Sequence, residues 1–273
     1  MCRECGCSVT PDDVHVHDHN GVVSAKVADA ASIKVMRHIL HYNDHQAAHN
    51  REHLARHGIL AVNLMSSPGS GKTSLLEATI DVIGDQYRIA VIEGDLETEN
   101  DANRVPAKGV PAVQITTGQA CHLDAHMVHD ALHALDLSQI DILFIENVGN
   151  LVCPAGFDLG QHENVVLLAV TEGDDKPAKY PVMFRTADLV LFSKSDLLDL
   201  LDDFAPENAE RHIRALANPA EILRISARRR ETVIPWLEWL EARLAEARSR
   251  AAHLAQGGHT HHHNHHHHAA ERS

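Results

Sequence analysis

The chain contains few aromatic residues, because Phe, Trp and Tyr together make up 4% of its 273 residues. A hydrophobic core must therefore consist mainly of aliphatic side chains, which the 44% hydrophobic content allows. We expect one substantial domain core of roughly 200 residues, with tails outside it.

Basic residues are scarce relative to acidic ones, with 24 Lys and Arg against 38 Asp and Glu and a formal net charge of −14. Without a strongly basic face, nucleic acid is not expected as the main partner. The sequence has no apolar run near the roughly 18–20 residues that cross a bilayer. Residues 1–7 also lack the hydrophobic segment of a signal peptide. We therefore expect a cytoplasmic protein that has no membrane partner.

Cysteine is limited to five residues, and an odd number in a reducing compartment argues against a disulfide framework. Histidine, by contrast, is abundant, with 24 residues. All the cysteines lie in or beside clusters of candidate metal ligands, and they are Cys2, Cys5, Cys7, Cys121 and Cys153. Metal binding is thus the expected use of these thiols.

Short apolar runs alternate with helical patterns from residue 59 to about residue 248. Such alternation predicts an α/β fold with a doubly wound, mainly parallel sheet. The predicted strands are Ile59–Met65, Arg88–Glu93, Ala112–Ile115, Asp141–Ile145, Val165–Val170, Leu189–Phe192 and Glu221–Ile225. The predicted helices occupy much of 26–57, 74–83, 121–135, 196–217 and 232–250.

The segment Ser66–Thr73 reads SSPGSGKT and lies between a predicted strand and a predicted helix. This context predicts a phosphate-binding loop (P-loop), in which backbone N–H groups and the helix N-terminus surround phosphate oxygens. Lys72 adds a positive charge, and Thr73 adds a hydroxyl for Mg²⁺. Ser66 replaces the first glycine of the strict pattern, and a flexible turn with an accidental lysine is the alternative. The expected nucleotide-binding residues here are Ser67, Gly69, Ser70, Gly71, Lys72, Thr73 and Ser74.

Three regions are expected along the chain. Residues 1–25 carry Cys and His motifs without apolar periodicity and are predicted to be a mobile metal-binding arm. Residues 26–250 are predicted to form the P-loop domain, beginning with a helix. Residues 251–273 are predicted to be a His-rich tail that is disordered without metal, since eight of the seventeen residues Gly257–Ser273 are His. An expression tag is the alternative interpretation of the tail.

Acidic residues follow two of the predicted strands. In an open α/β sheet, the carboxyl ends of the strands face the ligand crevice. Asp95 is therefore a candidate ligand for Mg²⁺ or water, and Glu146 is a second carboxylate beside the γ-phosphate. Acidic residues at a helix N-terminus are the alternative for Asp95 and Asp101. Gly149 is expected to let the segment after Glu146 move with the nucleotide state.

The four residues from Ser193 to Asp196 follow another predicted strand. GTP-binding proteins carry Asn-Lys-x-Asp there, in which Asp accepts hydrogen bonds from guanine and Lys packs over the base. Ser193 replaces the Asn, whereas Lys194 and Asp196 are present, so guanine remains the predicted base. Ser226 and Ala227 resemble the backbone clamp on the guanine carbonyl.

Three thiols, Cys2, Cys5 and Cys7, lie close enough in sequence to chelate one ion, with the terminal amine as a fourth ligand. A planar thiolate and nitrogen set suits Ni²⁺ and a tetrahedral one suits Zn²⁺. Incidental thiols are the alternative. The histidines nearest this arm and in the tail suit loose metal chelation; they are His15, His17, His19 and those between His259 and His268.

A second candidate metal site requires the fold to bring two distant segments together. Cys121 and His122 are expected to open a helix, and Cys153 follows the Glu146 segment. If Cys121 and Cys153 meet, a Cys, His and Cys site forms beside the nucleotide. His126 and His129 lie on the same predicted helix. From the residues alone, we expect them to be solvent-exposed helix residues in preference to metal ligands.

Together these motifs resemble the HypB family of hydrogenase nickel-incorporation GTPases, of the SIMIBI class of P-loop proteins. The similarity covers about residues 30–245 and the N-terminal cysteine motif. Its most specific segments are CHLDA at Cys121–Ala125 and ENVGNLVCP at Glu146–Pro154. The other matching segments are Asn50-Arg51, Ser66–Thr73, Ile92–Asp95 with Asp101, Thr117-Gly118, Phe157–Gly160 and Thr171–Lys176. The chain departs from the family at Ser193 and in its mainly C-terminal His-rich segment.

The resemblance implies a low-turnover GTPase that forms a GTP-dependent homodimer. It would deliver Ni²⁺ to the precursor of the [NiFe]-hydrogenase large subunit, aided by a HypA-type small metallochaperone. Lys72 would hold the β- and γ-phosphates, and Asp95 would help to order the attacking water. Thr73 and Glu146 would serve Mg²⁺, directly or through water.

The resemblance also implies two metal sites. The first is a tight nickel site formed by Cys2, Cys5 and Cys7. The second is a weaker Ni²⁺ or Zn²⁺ site near the dimer interface, formed by Cys121, His122 and Cys153 with His126 as an additional candidate.

Two other functions remain as alternatives. A urease-maturation GTPase shares the P-loop class but carries Cys-Pro-His at its metal site, whereas this chain has Cys121 followed directly by His122. A nickel storage or buffering protein would rely on the His-rich tail and leave hydrolysis vestigial, which the presence of Lys72, Thr73 and Glu146 disfavours.

Overall fold

The computed structural model describes residues 30–95, 104–118 and 120–257. Several of the predictions above fall outside these residues. They concern the arm with Cys2, Cys5 and Cys7, the histidines His15, His17, His19 and His259–His268, and the acidic residue Asp101.

Seven strands form one sheet in the order β3-β2-β4-β1-β5-β6-β7. Every neighbouring pair is parallel. The predicted doubly wound α/β fold is therefore confirmed, and each strand end lies within two residues of its predicted position. The strands are β1 Leu60–Ser66, β2 Ile89–Asp95, β3 Ala112–Thr116, β4 Ile142–Glu146, β5 Glu163–Ala169, β6 Leu189–Ser193 and β7 Glu221–Arg224.

The described α-helices cover both faces of the sheet. They are α1 Ala30–Arg56, α2 Lys72–Ile83, α3 Ala125–His133, α4 Lys176–Lys179, α5 Pro181–Arg185, α6 Pro206–Ala215 and α7 Arg230–Gly257. Short 3₁₀ turns occupy Pro106–Lys108, Leu137–Gln139, Pro154–Gly156, Val170–Glu172 and Ser195–Leu200. Helix α7 extends to Gly257, so the prediction of a disordered tail from residue 251 is wrong for residues 251–257. Among the described residues, no helix combines the length and the apolar composition needed to cross a membrane.

Two predicted helices begin later or break, for local reasons. Helix α3 starts at Ala125 because the Asp124 carboxylate caps it, accepting a hydrogen bond from the Met127 N–H. Cys121 and His122 consequently lie in the turn before the helix, not in the helix as expected. The predicted helix 196–217 is divided into a 3₁₀ turn and α6, which begins at Pro206 because proline favours the first helical position.

The two faces of the sheet bury separate aliphatic clusters. Leu60, Val62 and Leu64 alternate toward the face covered by α2 and α7, whereas Ala61 points toward α1 and α3. Trp236 of α7 is fully buried on the first face, and its indole N–H donates to the Thr79 hydroxyl at 3.0 Å. This alternation leaves the strand ends as the place where polar groups can converge.

An ionic network joins three elements at the amino edge of the sheet. Asp141, just before β4, accepts hydrogen bonds from the Arg88 backbone N–H at 2.9 Å and the Arg88 guanidinium at 2.7 Å. The Arg248 guanidinium of α7 donates to the same carboxylate at 2.8 Å. These hydrogen bonds, chiefly those from the Arg88 side chain, hold the pKa of Asp141 well below its usual range.

The Asp141→Asn variant should lower the free energy of unfolding by about 1–3 kcal/mol at neutral pH, because it removes the charge from a side chain that is only 11% exposed. Both guanidinium groups are about half exposed, so solvent screening should keep the cost toward the lower end. Because the folded-state pKa of Asp141 is lowered, its contribution is present above the unfolded pKa of about 3.9 and is lost as the pH falls below it.

Urea unfolding of wild type and variant from pH 7 down to pH 3 would measure this difference. Asp81→Asn is the matched control, because Asp81 pairs with Lys108 on an exposed surface and should cost less than about 1 kcal/mol. An equal loss in both variants would contradict a structural role for Asp141.

Candidate functional site

The loop between β1 and α2 has the backbone shape of a phosphate cradle. Gly69 and Gly71 have φ values of +72° and +96°, which L side chains rarely adopt. A Cβ atom at either position would meet nothing within 4 Å, so conformation and not space requires glycine. Helix α2 begins directly afterwards at Lys72, and its first N–H groups therefore face the loop.

The lysine and the hydroxyl of the P-loop have defined partners. The Lys72 ammonium is buried and donates to the Ser66 hydroxyl at 3.0 Å. Ser66, which replaces the first glycine of the pattern, thus holds the lysine in place. Burial lowers the pKa of Lys72, while the carboxylates of Glu146 and Glu172 act in the opposite direction.

The two expected magnesium ligands are adjacent. The Thr73 hydroxyl donates to Glu146 Oε1 at 2.8 Å, so a hydroxyl of α2 meets the carboxylate at the end of β4. Both groups line a cavity of about 360 Å³ that also contains Asp95, at the end of β2. A hydroxyl beside carboxylates is an all-oxygen donor set, which fits the preference of Mg²⁺.

A second cavity, of about 530 Å³, lies on the other side of the P-loop. The predicted base-recognition residues line it, namely Lys194, Asp196, Ser226 and Ala227, together with Ser70, Gly71 and Ser74 of the loop. A hydrogen bond from the Ser226 hydroxyl lowers the pKa of Asp196 and favours the carboxylate, which is the form that accepts hydrogen bonds from a base.

Ser193 has a role that the sequence pattern did not indicate. Its hydroxyl is buried and donates to the backbone carbonyl of Ser70 at 2.7 Å. This hydrogen bond connects the end of β6 to the P-loop. With Ser in place of the usual Asn, the wall of the second cavity therefore still contacts the phosphate-binding loop.

Glu172 is a site residue that the sequence interpretation missed. Its carboxylate accepts hydrogen bonds from the Ser67 hydroxyl at 2.6 Å and the Ser70 hydroxyl at 2.5 Å. Glu172 lies in the turn just after β5. The rule that identified Asp95 and Glu146, an acidic residue beyond the carboxyl end of a strand, would have found it as well.

The fold brings together Cys121, His122 and Cys153, although the two cysteines are 32 positions apart in the sequence. We call these three residues the metal group, because they form the candidate metal site. Their candidate ligand atoms all lie within 4.8 Å of one another. The two sulfur atoms are 2.9 Å apart, and Cys121 Sγ lies 3.9 Å from His122 Nδ1. Two thiols and one imidazole form a soft donor set that suits Zn²⁺ or Ni²⁺ and leaves one tetrahedral position for a further ligand.

The imidazole of this group is buried and held in place by an aromatic contact. His122 is 5% exposed, and its ring stacks on Phe157 with the ring centroids 3.9 Å apart. Burial lowers the pKa of His122, which favours the neutral form that can donate a lone pair. His126 is exposed on α3 and lies outside this group.

The segment Glu146–Cys153 joins the nucleotide cavity to the metal group. The Asn147 side-chain oxygen accepts a hydrogen bond from the Leu123 N–H at 3.3 Å, and the Asn150 amide donates to the Cys121 carbonyl at 3.3 Å. A Cβ atom on Gly149 would lie 2.8 Å from Pro68 Cα, so this glycine allows close contact with the P-loop. The segment thus contacts both sites.

Comparison with known proteins agrees with this architecture. The family model "CobW/HypB/UreG, nucleotide-binding domain" matches residues 60–224. The hydrogenase maturation factor HypB of Azotobacter vinelandii is 51% identical over 215 residues, which are 79% of this chain and 71% of that protein.

Two solved structures share the fold. The crystal structure of HypB from Helicobacter pylori in complex with nickel has a TM-score of 0.72 and 42% identity, covering 75% of this chain and 96% of that one. The hydrogenase maturation factor HypB of Archaeoglobus fulgidus has a TM-score of 0.70 and 40% identity, covering 75% of this chain and all of that one. This chain belongs to the HypB hydrogenase maturation factors, within the CobW/HypB/UreG family of nucleotide-binding domains.

Proposed function

We propose that the chain is a GTP-hydrolysing nickel metallochaperone, which delivers Ni²⁺ to the precursor of the [NiFe]-hydrogenase large subunit. The observation that carries the proposal is the segment Glu146–Cys153, which begins at a carboxylate of the nucleotide cavity and ends at a thiol of the metal group. The family membership and the nickel-bound H. pylori relative support the same conclusion.

Hydrolysis would depend on positioning and on charge stabilisation. Lys72 lies at the start of α2, where its ammonium can leave Ser66 and contact the β- and γ-phosphates. Thr73 and Glu146 would hold Mg²⁺, which when bound neutralises charge on the phosphate oxygens. Asp95 would orient the attacking water from the carboxyl end of the neighbouring strand β2. Glu172 must release the hydroxyls of Ser67 and Ser70 when phosphate oxygens take its place.

Metal transfer would follow from the contacts of the connecting segment. A γ-phosphate near Glu146 and Gly149 changes what this segment packs against, and Asn150 transmits a shift to the backbone of Cys121. The geometry of Cys121, His122 and Cys153 would then differ between nucleotide states. Such a coupling lets the protein hold Ni²⁺ in one state and release it in the other.

The proposal also covers the location of the protein, its oligomeric state, its partner and its metal sites. We infer a cytoplasmic protein that forms a GTP-dependent homodimer and acts with a HypA-type small metallochaperone. Cys2, Cys5 and Cys7 would bind Ni²⁺ tightly, and the internal group would bind Ni²⁺ or Zn²⁺ more weakly.

The Lys72→Ala variant should reduce GTP hydrolysis by at least about 100-fold, because it removes a charge aimed at the transferred phosphoryl group. Nickel should remain bound at the N-terminal cysteines, while the nickel content of hydrogenase in cells falls. Lys179→Ala is the matched control, since Lys179 forms an exposed ion pair with Asp175 and should leave both measurements unchanged. Unchanged hydrogenase nickel content in Lys72→Ala would contradict coupling of hydrolysis to delivery.

The Asp196→Asn variant should weaken GTP binding by roughly 10- to 100-fold, because an amide cannot accept both hydrogen bonds that guanine donates. Binding of xanthosine triphosphate should improve, since its 2-oxo group accepts from the new amide. Titration with GTP and with xanthosine triphosphate would measure the two changes in affinity. Asp199→Asn, on the same 3₁₀ turn but exposed, should alter neither affinity. Equal losses for both nucleotides would contradict base recognition by Asp196.

The Cys153→Ala variant should weaken metal binding at the internal group and abolish its dependence on nucleotide, because it removes both a ligand and the end of the connecting segment. Ni²⁺ and Zn²⁺ titrations with GDP and with a GTP analogue would measure this. Asn150→Ala keeps all three ligands but removes the contact with the Cys121 carbonyl, so it should bind metal with a reduced nucleotide dependence. Identical wild-type affinity in both nucleotide states would overturn the coupling.

A further inference from the structure

A second group of imidazoles lies outside the metal group, where α1 packs against α3. His49 and His53 lie four residues apart on α1, with His57 in the turn directly after the helix, and His129 and His133 lie four residues apart on α3. We call these five residues the α1/α3 histidine patch. Its rings are close: the centroids of His49 and His129 are 5.4 Å apart, and those of His129 and His133 are 4.5 Å apart.

A buried asparagine fixes which nitrogen of His129 carries the proton. The Asn50 amide donates both hydrogens to backbone carbonyls, of Ala125 at 2.8 Å and Leu159 at 3.1 Å. The Asn50 oxygen is therefore the group that faces His129 Nδ1, at 3.1 Å, and it can only accept. His129 must be protonated on Nδ1, and its Nε2 lone pair points outward. This arrangement resembles the outer-shell hydrogen bonds that orient metal-ligating histidines.

His133 lies at the distance that a shared ion requires. Its Nε2 is 3.1 Å from Nε2 of His129. Two nitrogens that bind one ion at about 2.1 Å are separated by about 3.0 Å at the right angles of square-planar or octahedral coordination and by about 3.4 Å at tetrahedral angles. Without metal, the Nε2–H of His133 donates to Nε2 of His129. When an ion binds, His133 changes tautomer: its proton moves from Nε2 to Nδ1, and the ion occupies the space between the two Nε2 atoms.

Helix α1 offers the next imidazoles. His49 is exposed and its ring meets His129 edge to face, so it is the candidate third ligand from α1. His53 lies between His49 and His57 and carries a buried Nδ1 that has no hydrogen-bond partner among the described residues. Burial and the neighbouring histidines lower the pKa of His53, which favours the neutral form of this one ring.

We propose that the α1/α3 histidine patch is a binding site for a divalent transition metal ion, such as Ni²⁺, Zn²⁺ or Cu²⁺. His129 and His133 bind the ion through Nε2, and His49 completes the set. All its ligands are imidazoles and His49 and His133 are exposed, whereas two of the three residues Cys121, His122 and Cys153 are buried and two of them are thiols. The patch therefore exchanges metal more readily with solvent. The inference does not depend on GTP hydrolysis or on nickel delivery.

Residue-resolved modification of the full chain tests the proposal. Diethyl pyrocarbonate acylates imidazole nitrogens that have an accessible lone pair, and mass spectrometry identifies each modified histidine. With Ni²⁺ in excess over all protein sites, His49, His129 and His133 should lose reactivity, whereas His212 on α6 should not. Retention of metal-free reactivity at His129 and His133 would overturn the site, as would equal protection of His212.

The His133→Gln variant separates metal binding from simple shielding. It should restore the reactivity of His129 and His49 in the presence of Ni²⁺. The Ni²⁺ concentration that gives half-maximal protection should rise by more than about tenfold. Loss of an outer-shell partner alone lowers metal affinity by roughly 10- to 100-fold, and loss of a ligand should cost at least as much. His212→Gln is the matched control and should leave that midpoint unchanged. Circular dichroism and thermal unfolding would verify that the exposed substitution preserves the fold. Protection of His129 that survives unchanged in His133→Gln would contradict shared ligation.

Discussion

The pairing of β1 with β4 is the constraint on which both sites depend. The two strands are parallel, with Leu64 opposite Glu146, so the carboxylate emerges beside the start of the P-loop and meets the Thr73 hydroxyl. A slip of one residue would turn Glu146 to the other face of the sheet, because side chains alternate along a strand. The aliphatic alternation of both strands excludes that slip, since it would also exchange the residues buried on the two faces. Packing of the core thus determines the position of a polar contact at its edge.

The same strand end determines how near the metal group lies to the nucleotide. Directly after Glu146 the chain turns past Pro68 and Leu123 and reaches Cys153 within seven residues. Asn147 and Asn150 hydrogen-bond to the turn that carries Cys121 and His122, so the two candidate sites share one short stretch of backbone. Proximity of this kind would give a physical route for the proposed coupling, because a change in packing against the P-loop would alter contacts with the candidate metal ligands without a long chain of intermediaries.

Much of this arrangement was predictable from local patterns. Apolar runs located the seven strands, the spacing of Gly69, Gly71 and Lys72 predicted the phosphate loop, and acidic residues at strand ends identified Asp95 and Glu146. The predictions for Cys121 and His122 erred in placing them within a helix, since Asp124 is a stronger helix start than the apolar pattern suggested. Glu172 obeys the same rule, but it lies three residues beyond the end of β5, in a turn and not directly at the strand end. The helix pattern of α1 and α3 was clear, but their mutual contact was not.

The amino-acid sequence alone therefore determined the fold class and the phosphate loop, and it supplied the candidate base-recognition residues and three candidate metal ligands, because each of these follows from spacing within a few residues or within one strand. Only the tertiary structure decided which distant residues meet. The contact of Cys121 with Cys153, the hydrogen bond from Ser193 to the P-loop and the grouping of His49 with His129 and His133 all depend on the order of strands and on helix packing. Strand order and helix packing arise from burial of aliphatic surface over the whole sheet. Every element contributes to this burial, and no local pattern encodes it.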